Sequence, residues 1–274
     1  MTEAPTELDP VGQAILAGAI GDRPETVMSV HQLRRGLCRA LVLGPLERPR
    51  AAVTQAYASP AEPTAFGTDA VAVWTLLRCL EGWSAANVPL AIGHFLATLI
   101  EAETGRSCWL CDEIYFTLNQ PVTPSIHPAV RRLMPADAEL MERSAVNLDM
   151  AGWRFGSASV LLREGFAAGT VVAQQVVAVA FSAARADRYV GVGIVTSAPW
   201  RGRGLATSAA ALVCAEIQGA GGTPVWSTSE ENGASRRVAD KLGFSEASRR
   251  VYVNRAEPRN DRPDRVLQPF RGSA

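Results

Sequence analysis

The sequence predicts an α/β protein, in which helices pack against a β-sheet. Two observations support this prediction. Segments with apolar residues at helical spacing alternate along the chain with short apolar runs of strand length, which is the pattern of an α/β fold. In addition, a glycine-rich turn around Gly202 and Gly204 separates one such strand from the helix that follows it.

The composition excludes several classes of function. The 274 residues include 27 Lys+Arg and 27 Asp+Glu, so the net charge is zero and nothing indicates a nucleic-acid partner. No apolar run approaches the ~20 residues of a membrane-spanning helix, and the N-terminus lacks the basic region of a signal peptide. We therefore expect no membrane association and a cytoplasmic location.

The five cysteines are odd in number and scattered, as expected for a reducing compartment. Cys108 and Cys111 have the CxxC spacing of a zinc or redox site. No second pair follows, and the surrounding pattern is that of a strand, which would direct the two thiols to opposite faces. We therefore predict no metal site.

The first part of the chain is predicted to contain a polar segment over 1–25 and then a domain over 26–125. The predicted helices cover 30–43, 68–82 and 89–105, and the predicted strands cover 50–57 and 107–118. The segment 119–125 contains two prolines among polar residues and is predicted to link this domain to the next. No internal repeat is visible in the sequence.

A second domain is predicted over 126–256, followed by a tail rich in arginine and proline over 257–274. The predicted strands cover 127–134, 169–173, 176–184, 189–196 and 224–228. The predicted helices begin at 135, near 147, at 204 and at 232.

The turn before the predicted helix at 204 has the features of a phosphate-binding loop. The N-terminus of a helix presents unpaired N–H groups to an anion, glycines let a phosphate approach the backbone, and arginines add charge-assisted contacts. A dinucleotide fingerprint is excluded because the third glycine is absent, and a P-loop because no Gly-Lys-Ser/Thr follows. The six residues of the turn are Arg201, Gly202, Arg203, Gly204, Leu205 and Ala206.

These six residues match, at every defined position, the Arg/Gln-x-x-Gly-x-Gly/Ala signature of GNAT acetyltransferases. A second block, from Asn232 through Ser235 to Lys-Leu-Gly243-Phe244, resembles the one that closes GNAT domains. The chain is therefore similar to the GNAT superfamily, and more narrowly to its two-half, glycine N-acyltransferase-like bacterial members.

The resemblance implies a mixed, mostly antiparallel sheet flanked by helices, with a degenerate GNAT-like half at the N-terminus. It also implies that acetyl-CoA or another acyl-CoA binds in the second half. The pantetheine arm would bond to the backbone of a splayed strand at Ile194, Val195 and Thr196, and the 201–206 amides would hold the pyrophosphate. Asn232 would bond near the pantetheine, a role that can coexist with capping a helix, and Ser235 or Arg236 would reach the phosphates.

The implied reaction is direct acyl transfer to a small-molecule amine by a monomer or homodimer. Gly191 and Ala239 stand where many GNAT enzymes carry a Glu base and a Tyr acid, so other groups must be considered. The candidates are Glu230, Glu231 and Tyr252, and after them His94, His127, Glu113 and Asp187. Two alternatives stay open, a catalytically silent acyl-CoA-binding sensor and a protein or peptide acetyltransferase.

Overall fold

The computed structural model describes residues 4–123, 126–145 and 154–255. The contacts among them divide the chain into two compact units. The first contains the described residues up to Ile114 together with Ser229–Glu231 and residues 248–255. The second contains the chain from Tyr115 to Thr228 together with Asn232–Ala247. The predicted domain boundaries at 25, 125 and 256 stay predictions.

Among the described residues, ten helices and strands precede the segment that was predicted to link the two domains. They are β1 (Thr6–Glu7), α1 (Pro10–Ile20), α2 (Val27–Arg35), β2 (Cys38–Leu43), β3 (Ala51–Ala56), β4 (Thr64–Phe66), α3 (Ala70–Leu77), β5 (Ala85–Pro89), α4 (Gly93–Thr104) and β6 (Trp109–Thr117). A 3-10 helix at Leu90–Ile92 precedes α4.

The same order of helices and strands occurs again after this segment. The elements are β7 (Arg131–Arg132), α5 (Ala138–Ala145), α6 (Ala158–Glu164), β8 (Ala167–Val172), β9 (Gln175–Arg185), β10 (Tyr189–Thr196), α7 (Leu205–Gly219), β11 (Thr223–Ser229), α8 (Gly233–Leu242) and β12 (Ser245–Asn254). Short 3-10 helices at Pro135–Asp137 and Ala198–Trp200 precede α5 and α7.

In the first unit the strand order is β1-β2-β3-β4-β5-β12. The neighbours pair antiparallel except β4 and β5, which run parallel with α3 between them in the chain. The hydrophobic core of this unit includes Leu76, Leu77, Leu96 and Ile100, none of which is exposed. The sheet is thus covered by apolar faces of α3 and α4.

In the second unit the strand order is β6-β11-β10-β9-β8-β7. The β7–β8–β9–β10 pairs are antiparallel, whereas β10 and β11 are parallel and are connected through α7. A core cluster with Leu133, Phe155 and Leu161 covers one face of β8 and β9. The predicted α/β fold, with a mixed and mostly antiparallel sheet flanked by helices, is confirmed. None of the described helices is long and apolar enough to cross a membrane.

The structure corrects several predicted elements. The helix predicted over 30–43 is wrong beyond Arg35: Gly36 ends α2 in the left-handed region with a φ of 62°, and Cys38–Leu43 is a strand. Five of its six residues are buried, and an apolar run buried on both faces lacks the alternation that marks a half-exposed strand. The sequence reading also missed α1 and β5, and much of the helix predicted near 147–164 lies outside the described residues.

Candidate functional site

The parallel pair of strands in the second unit opens into a fork. β10 and β11 are paired at Tyr189↔Thr223, Val190↔Pro224 and Gly191↔Val225, and their register goes no further. β10 nevertheless continues to Thr196, held by β9 on its other side as far as Thr196↔Ala178. The backbone of β10 beyond Gly191 therefore has a free edge, as the resemblance predicted.

Burial along β10 changes where the fork opens. Val190, Gly191 and Val192 are buried, whereas Gly193–Thr196 are half-buried. The β10–β9 register also shifts between Gly191 and Val192, and such a bulge turns a strand and disturbs its pairing. The Thr196 hydroxyl oxygen is buried and has no hydrogen-bond partner among the described residues. This free edge can pair with an extended, amide-containing ligand.

The loop that leaves β10 presents an open helix end. Gly202 and Gly204 both have a φ of +76°, and nothing lies within 4 Å of a Cβ built on either. Gly204 is the N-cap of α7 and has no side chain to cap it. Along the described chain, the N–H groups of residues 202–207 donate no hydrogen bond, and Ser208 makes the first one, to the Gly204 carbonyl at 3.0 Å. Such a run of free N–H groups at the positive end of a helix dipole is suited to an anion.

Two arginines flank this open end. The Arg201 Nε donates to the Thr196 carbonyl at 3.2 Å, and the Arg203 guanidinium lies 4.7 Å from the centre of the Trp200 ring. Both side chains are on exposed residues, and neither is in an ion pair among the described residues. The loop therefore combines open backbone donors with two fixed positive charges.

Asn232 and Ser235 lie at the start of α8 and are held by local contacts. The Asn232 Oδ1 accepts from the backbone N–H of Ser235 at 3.0 Å, so Asn232 caps α8. The Ser235 Oγ in turn accepts from Trp226 Nε1 at 2.9 Å, and Trp226 is buried. The capping role of Asn232 is present in the structure, which leaves its side-chain NH₂ group for the predicted pantetheine contact. The next residue, Arg236, is half-buried within the first turn.

The predicted catalytic residues belong to the first unit. The Glu230 carboxylate is 3.2 Å from the Arg249 guanidinium, which also lies 3.4 Å from Asp112. Glu231 is exposed and Tyr252 half-buried, and Tyr252 pairs through its backbone with Asn87 of β5. Because these side chains lie in one unit and the loop in the other, their catalytic roles stay predictions.

The positions of the usual GNAT acid and base are filled by small residues. Ala239, at the position of the Tyr, is fully buried. Around Gly191, β10 carries no acidic residue from Tyr189 to Thr196. Further along the same strand, the ring of Phe181 lies against Gly193. The sequence reading did not identify Phe181, because its contact with Gly193 depends on the pairing of β9 with β10.

The remaining polar candidates differ in their burial and contacts. Burial, followed by the carboxylate of Glu231, raises the pKa of Cys111 to about 11, so this thiol is protonated and a weak nucleophile at neutral pH. No cluster of three metal-ligating residues occurs among the described residues. The backbone N–H of His127 donates to Ser208 Oγ at 2.6 Å, Glu113 is buried, and both His94 and Asp187 are exposed.

Comparison with known proteins agrees with this geometry. Residues 124–251 match the family model described as GNAT acetyltransferase. This part of the chain is therefore similar to GNAT acetyltransferases. This family is one of acetyltransferases, which supports acyl transfer from acyl-CoA as the activity of the domain. No curated protein matches the sequence.

Solved structures with the GNAT fold cover almost the whole chain. A Drosophila protein superposes with a TM-score of 0.67 at 14% identity, covering 93% of this chain and 99% of its own. A GNAT-like protein from Streptococcus suis has a TM-score of 0.65 at 19% identity, with coverages of 89% and 98%. A tandem GNAT protein from the clavulanic acid biosynthesis pathway has a TM-score of 0.55 at 16% identity, with coverages of 91% and 97%. At these identities the similarity shows the fold.

Proposed function

We propose that this protein is an acyl-CoA-dependent N-acyltransferase that transfers an acetyl or other acyl group directly to a small-molecule amine. The observation that carries the proposal is the combination of the open α7 end with the fork beside it in the same unit. The free N–H groups at residues 202–207 suit the pyrophosphate of acyl-CoA, and Arg201 and Arg203 add positive charge. The free edge of β10 suits the amides of the pantetheine arm.

In the proposed reaction, the amine nitrogen attacks the thioester carbonyl and the thiolate of CoA leaves with a proton. Backbone N–H groups on the free edge of β10 donate to the carbonyl oxygen as negative charge develops there. Holding the thioester against the strand also orients it for attack, and orientation alone lowers such a barrier substantially. These contributions come from the backbone and need no particular side chain.

Proton transfer is the step for which this chain lacks the Glu base and the Tyr acid of many GNAT enzymes. With glycine at 191 and a buried alanine at 239, we propose that the amine reacts in its free-base form and gives its proton to solvent or to a carboxylate such as Glu230 or Glu231. The rate should then rise with pH until the acceptor itself is deprotonated, near pH 8 for an α-amino group. An acceptor with a lower amine pKa should reach its plateau at a correspondingly lower pH.

A screen for CoA release tests the function directly. The protein is incubated with acetyl-CoA and pooled amines, amino acids and aminoglycosides, and free thiol is measured. We expect one pool to release thiol well above the rate of hydrolysis. Tight CoA binding with no release in any pool would favour the second candidate, a silent acyl-CoA sensor, which the absence of the usual acid and base already supports.

The proton route is tested by measuring kcat/KM against pH. The parent is compared with the Glu230→Gln and Glu231→Gln variants. A dominant general base contributes about 10²–10⁴-fold in rate, so a loss of that size would assign the base to the residue replaced. We expect a loss below about tenfold and a pH profile that follows the acceptor. Tyr252→Phe tests the third predicted residue in the same way.

The first unit is proposed to be a degenerate GNAT-like half. Its elements follow the same order as those of the second unit, and a tandem GNAT protein covers 91% of the chain. The proposed acceptor is a small molecule.

A further inference from the structure

The ring of Phe181 on β9 lies directly against the backbone of Gly193 on β10. A Cβ built on Gly193 would be 2.9 Å from the nearest ring carbon of Phe181 and 3.2 Å from the next. Real Cβ atoms essentially never come that close to another atom, so any other residue at 193 would push the ring away. The two residues are direct partners in the β9–β10 register.

This contact lies close to the point where the fork closes. The last β10–β11 pair is Gly191↔Val225, and Gly193 is two residues beyond it on the free edge. From Thr196 to Gly193 the strand rises by ~10 Å, at ~3.3 Å per residue. A ligand anchored at the start of α7 and extended along β10 therefore brings its far end towards Gly193 and Phe181.

The surface at this end is apolar and partly open. Phe181 lies two residues from Val179 along β9, and Val195 is the partner of Val179 on β10. The three side chains therefore lie on the same face of the sheet. Val179 is fully buried in the core cluster, whereas Phe181 and Val195 are only partly buried at its margin. The exposed part of the ring is thus free to pack against an apolar group of a ligand.

We propose that Phe181 is the residue that recognises the acyl chain, and that Gly193 is required to bring its ring into place. This inference rests on the proposed function, because it assumes that the thioester end of acyl-CoA lies beside β10. An apolar chain longer than acetyl would cover more of the ring. Burial of each additional methylene group should therefore strengthen binding by about fourfold.

Calorimetry with CoA, acetyl-CoA, butyryl-CoA and hexanoyl-CoA tests the proposal without knowledge of the acceptor. The parent should bind butyryl-CoA about fifteenfold more tightly than acetyl-CoA, since two methylene groups are added. Phe181→Ala should bind free CoA as the parent does but lose most of this dependence on chain length. The matched control is Val171→Ala, which removes another partly buried residue from the margin of the same cluster and should keep the dependence.

Gly193→Ala provides a second variant, in which Phe181 is present but displaced. It should also flatten the dependence on chain length, so the test stands even if Phe181→Ala fails to fold. Unchanged chain-length dependence in a folded variant, or no preference for longer chains in the parent, would overturn the inference while the proposed function stands. Failure of the parent to bind any form of CoA would overturn both.

Discussion

Helices α3 and α7 occupy the same place in the two repeats of element order, each between two parallel strands, but their N-terminal ends are different. At α3, Asp69 is the N-cap, and its Oδ1 accepts from the Ala72 N–H at 3.0 Å. Its Oδ2 accepts from the Arg50 Nε at 2.7 Å. At α7, Gly204 is the N-cap and no side chain accepts from the first turn.

The difference shows what leaves one β–α–β crossover open to an anion and closes the other. The Ala72 N–H and then the Arg50 guanidinium hold the pKa of Asp69 below its usual value, so α3 already has a negative charge at its positive end. At α7 the N–H groups of the first turn remain open, and Arg201 is not paired with an acid among the residues that the structure describes. One half can therefore receive a phosphate at its crossover helix, whereas the other carries its own carboxylate there.

Making the end of α7 resemble that of α3 should have the largest effect. Gly204→Asp places a carboxylate where the pyrophosphate would bind, and repulsion between close charges amounts to several kcal/mol at an effective dielectric constant of ~20. We expect CoA affinity, measured by calorimetry, to fall at least about 100-fold.

The matched control for this change is Gly221→Asp. Gly221 also has a positive φ, of +80°, and open space around its Cβ position, but it follows the other end of α7. It should bind CoA as the parent does. Parent-like binding by Gly204→Asp itself would show that the phosphate site is elsewhere.

Removing one positive charge beside α7 should have a smaller effect. Arg201→Ala should weaken CoA binding about tenfold at low ionic strength, as expected for the loss of a charge-assisted hydrogen bond. Because the residue is exposed, the loss should shrink at ~1 M salt, where the Debye length is ~3 Å. Titrations at both salt concentrations measure this, with Arg188→Ala, at the opposite end of β10, as the control. Equal losses in the two variants would argue against a specific contact.

The cap of α8 allows stability and binding to be separated. Asn232→Ala should cost about 1 kcal/mol of unfolding free energy by removing the cap, whereas Asn232→Ser keeps an oxygen acceptor and should cost little. Both variants lose the side-chain NH₂ group. If that group binds pantetheine, both should bind CoA about fivefold more weakly. Denaturant unfolding and calorimetry on the same samples distinguish the roles, and weaker binding in the alanine variant alone would assign Asn232 to capping.

Opening the end of α3 should have the smallest effect, and only on stability. Asp69→Ala should lower the unfolding free energy by about 1 kcal/mol at pH 7 and leave the Kd for CoA unchanged. Since the folded-state pKa of Asp69 is lowered, its carboxylate stabilises the fold above the unfolded-state pKa of ~3.9, and this contribution is lost as the pH falls through the folded-state value. Urea unfolding at pH 7 and near pH 3 should show the difference between parent and variant shrinking. A constant difference would mean that the charge has no part in the cap.

The sequence alone located the glycine-rich turn and the last two helices. These features are local: Gly202 and Gly204 adopt a φ that few other residues tolerate, and Asn232 and Gly243 mark the two ends of α8. The β2 segment was predicted as helix because a strand that is buried on both faces lacks the alternation of apolar and polar residues. The helix α1 was missed because its surrounding residues are polar.

The repeated order of elements and the fork were expected only through the resemblance to a known family, and the contact of Phe181 with Gly193 could be recognised only in the tertiary structure. The two repeats share little visible sequence, since a strand or helix tolerates many apolar residues as long as its buried face is kept. The fork depends on where β10 stops pairing with β11, whose partner residues are more than thirty positions apart. Such pairing is set by the packing of the whole sheet, whereas the turn, its glycines and the helix caps are set by neighbouring residues.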